Sequence, residues 1–154
     1  MMTESEFLNA LQNDILPIHY RTDISKKIPD GCLLFRKGAY VCLAMPFEDV
    51  PDDDFGSHTA KKMIRGVMTC LPFLMEKGLF LVYYGPEEKW SPVASKFTVD
   101  KTALRPVILQ SIHFFDPRTG QNENSRTHWG PLKFGFCGKL IEDLETLGRK
   151  TKGE

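Results

Sequence analysis

Apolar residues change period several times along this chain, and each change marks an element. Phe7, Leu8, Leu11, Ile15 and Leu16 recur at helical spacing behind Thr3-Glu4-Ser5-Glu6. That tetrapeptide has the spacing of a capping box, in which the threonine hydroxyl accepts an amide hydrogen bond and the glutamate reaches back. Pro17 lacks the amide a helix needs, so the pattern predicts an amphipathic helix over residues 4–16. From Cys32 to Phe35 and from Ala39 to Met45, β-branched and aromatic runs flank Arg36-Lys37-Gly38, the layout of a hairpin entered through the turn Asp30-Gly31. After a polar loop, Ser57 is placed to cap a helix extending to Lys77. Met63, Ile64, Val67, Met68, Leu71, Leu74 and Met75 form its apolar face, Lys61, Lys62 and Arg65 its polar one, and Pro72 kinks its last turn. Gly78 is the expected C-cap. Leu79 to Tyr84 is apolar at every position, as in a strand buried on both faces, and is the expected centre of the sheet.

The second half reads as more β-rich. Val93, Ser95, Phe97 and Val99 alternate with other residues as a strand would, and Val107 to Phe115 is a second strand, started after Pro106. Asp116-Pro117-Arg118-Thr119-Gly120 is a turn, Gln121 to His128 is polar, and Leu132, Phe134 and Phe136 alternate again. This predicts a hairpin with a long tip. Leu140, Ile141, Leu144 and Leu147 mark a final helix, and residues 150–154 are expected to fray.

These elements predict a single α+β domain over residues 1–149. A mixed or antiparallel sheet is covered on one face by the long 57–77 helix, with the terminal helices packed at its edge. At 154 residues such a domain can bury its own core without disulfides or metal. Lysine plus arginine and aspartate plus glutamate each number 20, so no global field draws the protein to nucleic acid or to an anionic membrane. Cys32, Cys42, Cys70 and Cys137 lie in apolar stretches without a Cys-x-x-Cys pair and read as reduced, buried thiols. The longest apolar run is too short to span a bilayer, and the first residues carry Glu4 and Glu6 rather than a basic leader. The expected location is cytoplasmic.

Chemistry is sparse. Ile28-Pro29-Asp30-Gly31, the hairpin, the helix and the Leu79 strand together resemble the core of the PD-(D/E)XK nuclease superfamily over about a third of the chain. That resemblance implies a metal-binding aspartate at Asp30 and a Glu-x-Lys triplet at the end of the next strand. Leu43-Ala44-Met45 stands in its place, so the resemblance implies a nuclease fold without activity, kept to bind nucleic acid. Ala44-Met45-Pro46-Phe47 after an apolar strand, with Asp116 and the loop Thr119 to Asn124, is also similar to nucleoside deoxyribosyltransferase-like and TIR-like domains, although the glutamate those enzymes use is missing. The four histidines show no metal-ligand spacing, and no glycine-rich phosphate loop or nucleophile elbow is present. The sequence implies no metal and no cofactor.

Two charged segments read as binding elements. Glu48, Asp49, Asp52, Asp53 and Asp54 place five carboxylates in seven residues, a loop that cannot bury itself and lacks the EF-hand order. Arg118, Arg126, Lys133 and Lys139 face only Glu123 and are interleaved with His128 and Trp129, a mix of charge and stacking surface used at protein interfaces and on single-stranded nucleic acid. A plainer reading makes the second segment a hairpin closed by Trp129. The expected function is a non-catalytic module that binds another protein or itself through these two surfaces, with nucleic acid as the alternative partner of residues 118–139. An enzyme whose cleft is assembled from distant residues would leave no local motif and stays open.

Overall fold

Strands that are apolar on both faces must be covered on both, and three of them set the architecture. They are β3 (Tyr40–Pro46), β4 (Lys77–Tyr84) and β5 (Val107–Phe115), adjacent and parallel, with Tyr40 opposite Gly78 and Pro46 opposite Tyr84. A computed structural model of the chain describes residues 1–71, 75–101, 105–127 and 136–153. Short antiparallel strands flank the parallel core. These are β1 (Thr22–Asp23) and β2 (Leu33–Lys37) on one side and β6 (Asn122–Arg126) on the other, giving a six-stranded mixed sheet in chain order. β4 is central, as its sequence predicts. Between Leu79 and Phe80 the pairing with β5 shifts register, so Gln110 becomes the extra residue of a bulge.

Two crossovers in the same direction leave their helical segments on one face. That face receives α3 (His58–Val67) through Ala60 and Ile64, and α4 (Glu87–Trp90) with the turn Ala94–Lys96 through Trp90, Ala94 and Phe97. The other face receives the N-terminal helix through Phe7, Leu11 and Leu16 and the C-terminal helix α5 (Phe136–Thr151) through Leu140, Ile141 and Leu144. The α+β fold with a mixed sheet therefore matches the expectation. The terminal helices, however, cover the second face instead of flanking an edge. Among the described residues no helix is long and apolar enough to cross a membrane.

Other departures have local causes. The helix expected over 57–77 stops at Val67, and Met68 is already extended, at φ −150° and ψ 155°. Gly66 and Val67 are weak helix formers, and Leu71 precedes a proline, which disfavours helical backbone there. Leu71 and Met75 are each left 47% exposed; Leu74 lies outside the described residues. Ser57 has a left-handed backbone, φ 54°, and its hydroxyl accepts from Tyr83 at 2.9 Å instead of capping α3. The cap is Asp54, whose carboxylate accepts from the amides of His58 at 2.8 Å and Thr59 at 3.1 Å. The first helix opens on the expected box, with Thr3 and Glu6 bonded reciprocally at 3.1 and 2.7 Å. It then runs past Pro17: α1 (Glu4–Ala10) widens into a π segment (Leu11–Ile15) and tightens again as α2 (Leu16–His19). The wider turn relieves the clash between the proline ring and the preceding carbonyl, and the missing amide ends nothing. The alternation from Val93 to Val99 forms turns that seat Phe97, not a strand. Of the late hairpin, β6 pairs with β5, α5 already begins at Phe136, and Leu132 and Phe134 lie outside the described residues. The final helix continues through Thr151, into the segment expected to fray.

A close approach joins the β5–β6 turn to α5. A Cβ at Gly148 would lie 2.6 Å from the Gly120 carbonyl oxygen and 2.5 Å from Asn122 Nδ2, whereas one at Gly66 would meet nothing within 4 Å. Gly148→Ala is expected to destabilise by ~1–3 kcal/mol, because the turn must part from the helix. Gly66→Ala should stabilise by roughly 0.5 kcal/mol through helix propensity. Urea midpoints of the two variants moving in opposite directions would check both; a Gly148→Ala midpoint at or above that of the parent would contradict the packing.

Candidate functional site

In a sheet with parallel strands, the loops leaving the strand carboxyl ends open above the core and are the usual place for a site. Here three turns meet there: Phe47–Asp49 after β3, Gly85–Glu87 after β4 and Asp116–Arg118 after β5. The chain start joins them, since the Met2 amide donates to the Pro117 carbonyl at 3.1 Å. This brings together acids far apart in sequence: Glu4, Glu48, Asp49, Glu87, Glu88 and Asp116.

Asp116 holds the assembly together. It is fully buried and accepts from the amides of Glu87 at 2.8 Å and Arg118 at 2.9 Å and from the Arg118 guanidinium at 3.1 and 3.3 Å. Burial alone would raise its pKa. The bonds from Arg118 and the Glu87 amide outweigh that and hold the carboxyl below the usual range. Arg118 also donates to Glu88 at 2.9 and 3.2 Å. Arg118, expected within a basic surface, is thus committed to two acids at the acidic end. The Glu4 carboxyl is pushed upward, first by loss of solvent and then by the Glu48 charge, with Arg118 opposing.

Beside this cluster lies a cleft of about 390 Å3 lined by Phe47, Glu48, Val50, Asp52, Pro86 and Lys89. Its floor is rigid: the Phe47 ring makes edge contacts with Tyr83, Phe97 and Phe114 at centroid distances of 5.8, 6.1 and 5.9 Å. Its rim is acidic apart from Lys89. Glu48 and Asp52 line it and Asp49 and Asp53 sit in the same exposed loop, whereas Asp54 is buried as the α3 cap. The loop therefore divides into an exposed acidic part and one structural acid, a division invisible in a plain run of carboxylates. The rings that back Phe47 leave no mark in the sequence, because Tyr83, Phe97 and Phe114 come from three other segments.

The remaining candidates are scattered. Arg126 is exposed on β6, and Lys139 pairs with Glu142 one turn along α5 at 3.5 Å. His128, Trp129 and Lys133 lie outside the described residues. Asp30 is exposed in the turn before β2; a Cβ on its neighbour Gly31 would lie 3.3 Å from Pro46, so it stands beside the end of β3, while Leu43, Ala44 and Met45 are buried. Asn122 and Asn124 are on β6, and Asn124 donates to Glu145 of α5 at 3.3 Å. Cys32 is pushed up to about 11 by burial and the Asp49 charge, and burial also raises Cys42 and Cys70. All three are held as thiols, not as nucleophilic thiolates. Among the described residues no three histidine, cysteine or acidic side chains converge as a metal ion would require. Compared with known proteins, the chain matches no family model, no curated protein and no solved structure.

Proposed function

We propose that this protein is an interaction module that receives a basic, partly apolar segment of a partner protein in the cleft at the carboxyl ends of its parallel strands. The observation that carries this reading is the acidic rim around a fixed aromatic floor. The nearby guanidinium, Arg118, is already satisfied by Asp116 and Glu88. A lysine or arginine fits such a site in both parts, laying its methylene stem on Phe47, Val50 and Pro86 and its charge against Glu48 and Asp52. The thiols held in their protonated form support binding over nucleophilic chemistry. Self-association through the same cleft would need a cation other than Arg118, and Arg126 on β6 is an exposed one.

Fluorescence anisotropy with a labelled peptide carrying two arginines among apolar residues tests the proposal. Affinity is expected to fall as salt is raised and to drop roughly ten-fold in Glu48→Lys, the cost of turning one rim attraction into a repulsion. A peptide with glutamates in place of the arginines binding equally well would sink the idea.

A further inference from the structure

The opposite end of the sheet has the opposite charge. At the amino ends of β4 and β5, a second cleft of about 120 Å3 is lined by His58, Lys61 and Arg65 of α3 and by Arg105, Pro106 and Val107. Lys77 adjoins it, because its amide donates to the Pro106 carbonyl at 2.9 Å. The charges of Lys77 and Arg65 both reach the Cys70 thiol, where they oppose the upward effect of burial. Lys77 therefore lies near this cleft, and the cations that line it come from two separate stretches of chain.

Two acids adjoin them among the described residues: Asp54, which accepts from the amides of His58 and Thr59 at the start of α3, and Asp100 in the neighbouring segment. Asp100 is buried, takes the Lys61 ammonium at 2.9 Å and accepts from the Leu109 amide at 2.7 Å. Arg105 approaches it only to 3.7 Å, beyond hydrogen-bond reach. Lys61 and Asp100 thus neutralise each other and form the cleft wall, while Arg65 and Arg105 keep guanidinium donors directed to no acid at hydrogen-bond distance among the described residues. Glu76 precedes Lys77 in the chain and has an interaction of its own. A small cleft lined by two planar forks and an imidazole matches a compact tetrahedral oxyanion, which guanidinium groups bind in bidentate fashion.

We infer that this cleft is a binding site for a single phosphate group, either free or as a phosphomonoester. It shares no residue with the acidic cleft, so it stands or falls independently of the proposed partner binding. The test is isothermal titration of the full chain with inorganic phosphate against sodium chloride at matched ionic strength, with phenyl phosphate as the monoester arm. Saturable phosphate binding is expected, weakened roughly ten-fold or more in Arg65→Gln/Arg105→Gln and unchanged in Lys27→Gln, an exposed cation far along the chain. Both altered arginines are exposed at the surface, so the double variant should fold, and its circular dichroism spectrum confirms that. Binding of phenyl phosphate but not inorganic phosphate supports the monoester as the ligand, and equal binding of both supports the free ion. Undiminished binding in the double variant, or an equal response to chloride, would overturn the site. So would tight binding of a single-stranded oligonucleotide with no response to either phosphate.

Discussion

Lowering the pH from 7 towards 3 is expected to cost this domain roughly 4–5 kcal/mol through His113 alone, more than many domains can lose and stay folded. His113 lies in β5, is buried, and neither ring nitrogen has a hydrogen-bond partner among the described residues. Its neighbours give it little help: Val82 is opposite on β4, Asn124 on β6, and Phe115 stacks at 6.5 Å. Asn124 is bonded to Glu145 of α5, and Arg126 of β6 is exposed. Burial with no compensating charge lowers the pKa to about 3 from an ordinary 6.5. The sign follows directly. Between these values the unfolded chain binds a proton that the folded chain refuses, so stability is full above 6.5 and falls with pH, by about 2 kcal/mol at pH 5. His113→Leu should remove this slope and, by eliminating two unsatisfied buried nitrogens, stabilise the protein by ~1–3 kcal/mol at pH 7. Urea midpoints at pH 7, 5 and 4 measure both effects, and parallel pH profiles for parent and variant would show that the proton enters elsewhere.

The same residue shows what the sequence could and could not reveal. Where structure follows from neighbours in the chain, it was legible: Thr3 and Glu6 announce their capping box, and six unbroken apolar residues announce β4. His113 in an apolar run gives no sign of its isolation, because that depends on Val82 and on β6. Pro17 and Phe97 mislead for the same reason, one accommodated by a widened helical turn and the other recruited from a turn into an aromatic floor. Charge was misleading in a more instructive way. Asp54 looks like its acidic neighbours and Arg118 like the basic residues that follow it, yet backbone amides consume the one and Asp116 the other. What counts at the surface is the charge left over. That charge is acidic around the cleft at the carboxyl ends of the parallel strands and basic in the lining of the second cleft, a separation that a composition with equal numbers of acids and bases conceals.

The wall of the basic cleft supplies the other large effect. Asp100→Ala is expected to destabilise the domain by about 3–5 kcal/mol, because it leaves the Lys61 ammonium buried without a counter-charge and removes the acceptor of the Leu109 amide. Lys61→Met should cost clearly less. It removes the buried cation instead of stranding it, keeps the apolar stem, and leaves Asp100 with the Leu109 amide and Arg105 at 3.7 Å. The asymmetry distinguishes this arrangement from an ordinary surface pair, whose removal from either side changes stability by about 1 kcal/mol or less. In the double variant Lys61→Met/Asp100→Ala the cost should fall below that of Asp100→Ala alone, since no unpaired charge is left inside. Thermal or urea unfolding of the three variants decides the matter. Equal losses from the two single substitutions, or a double variant less stable than Asp100→Ala, would mean that Lys61 reaches water and that the cleft wall is not closed by this pair.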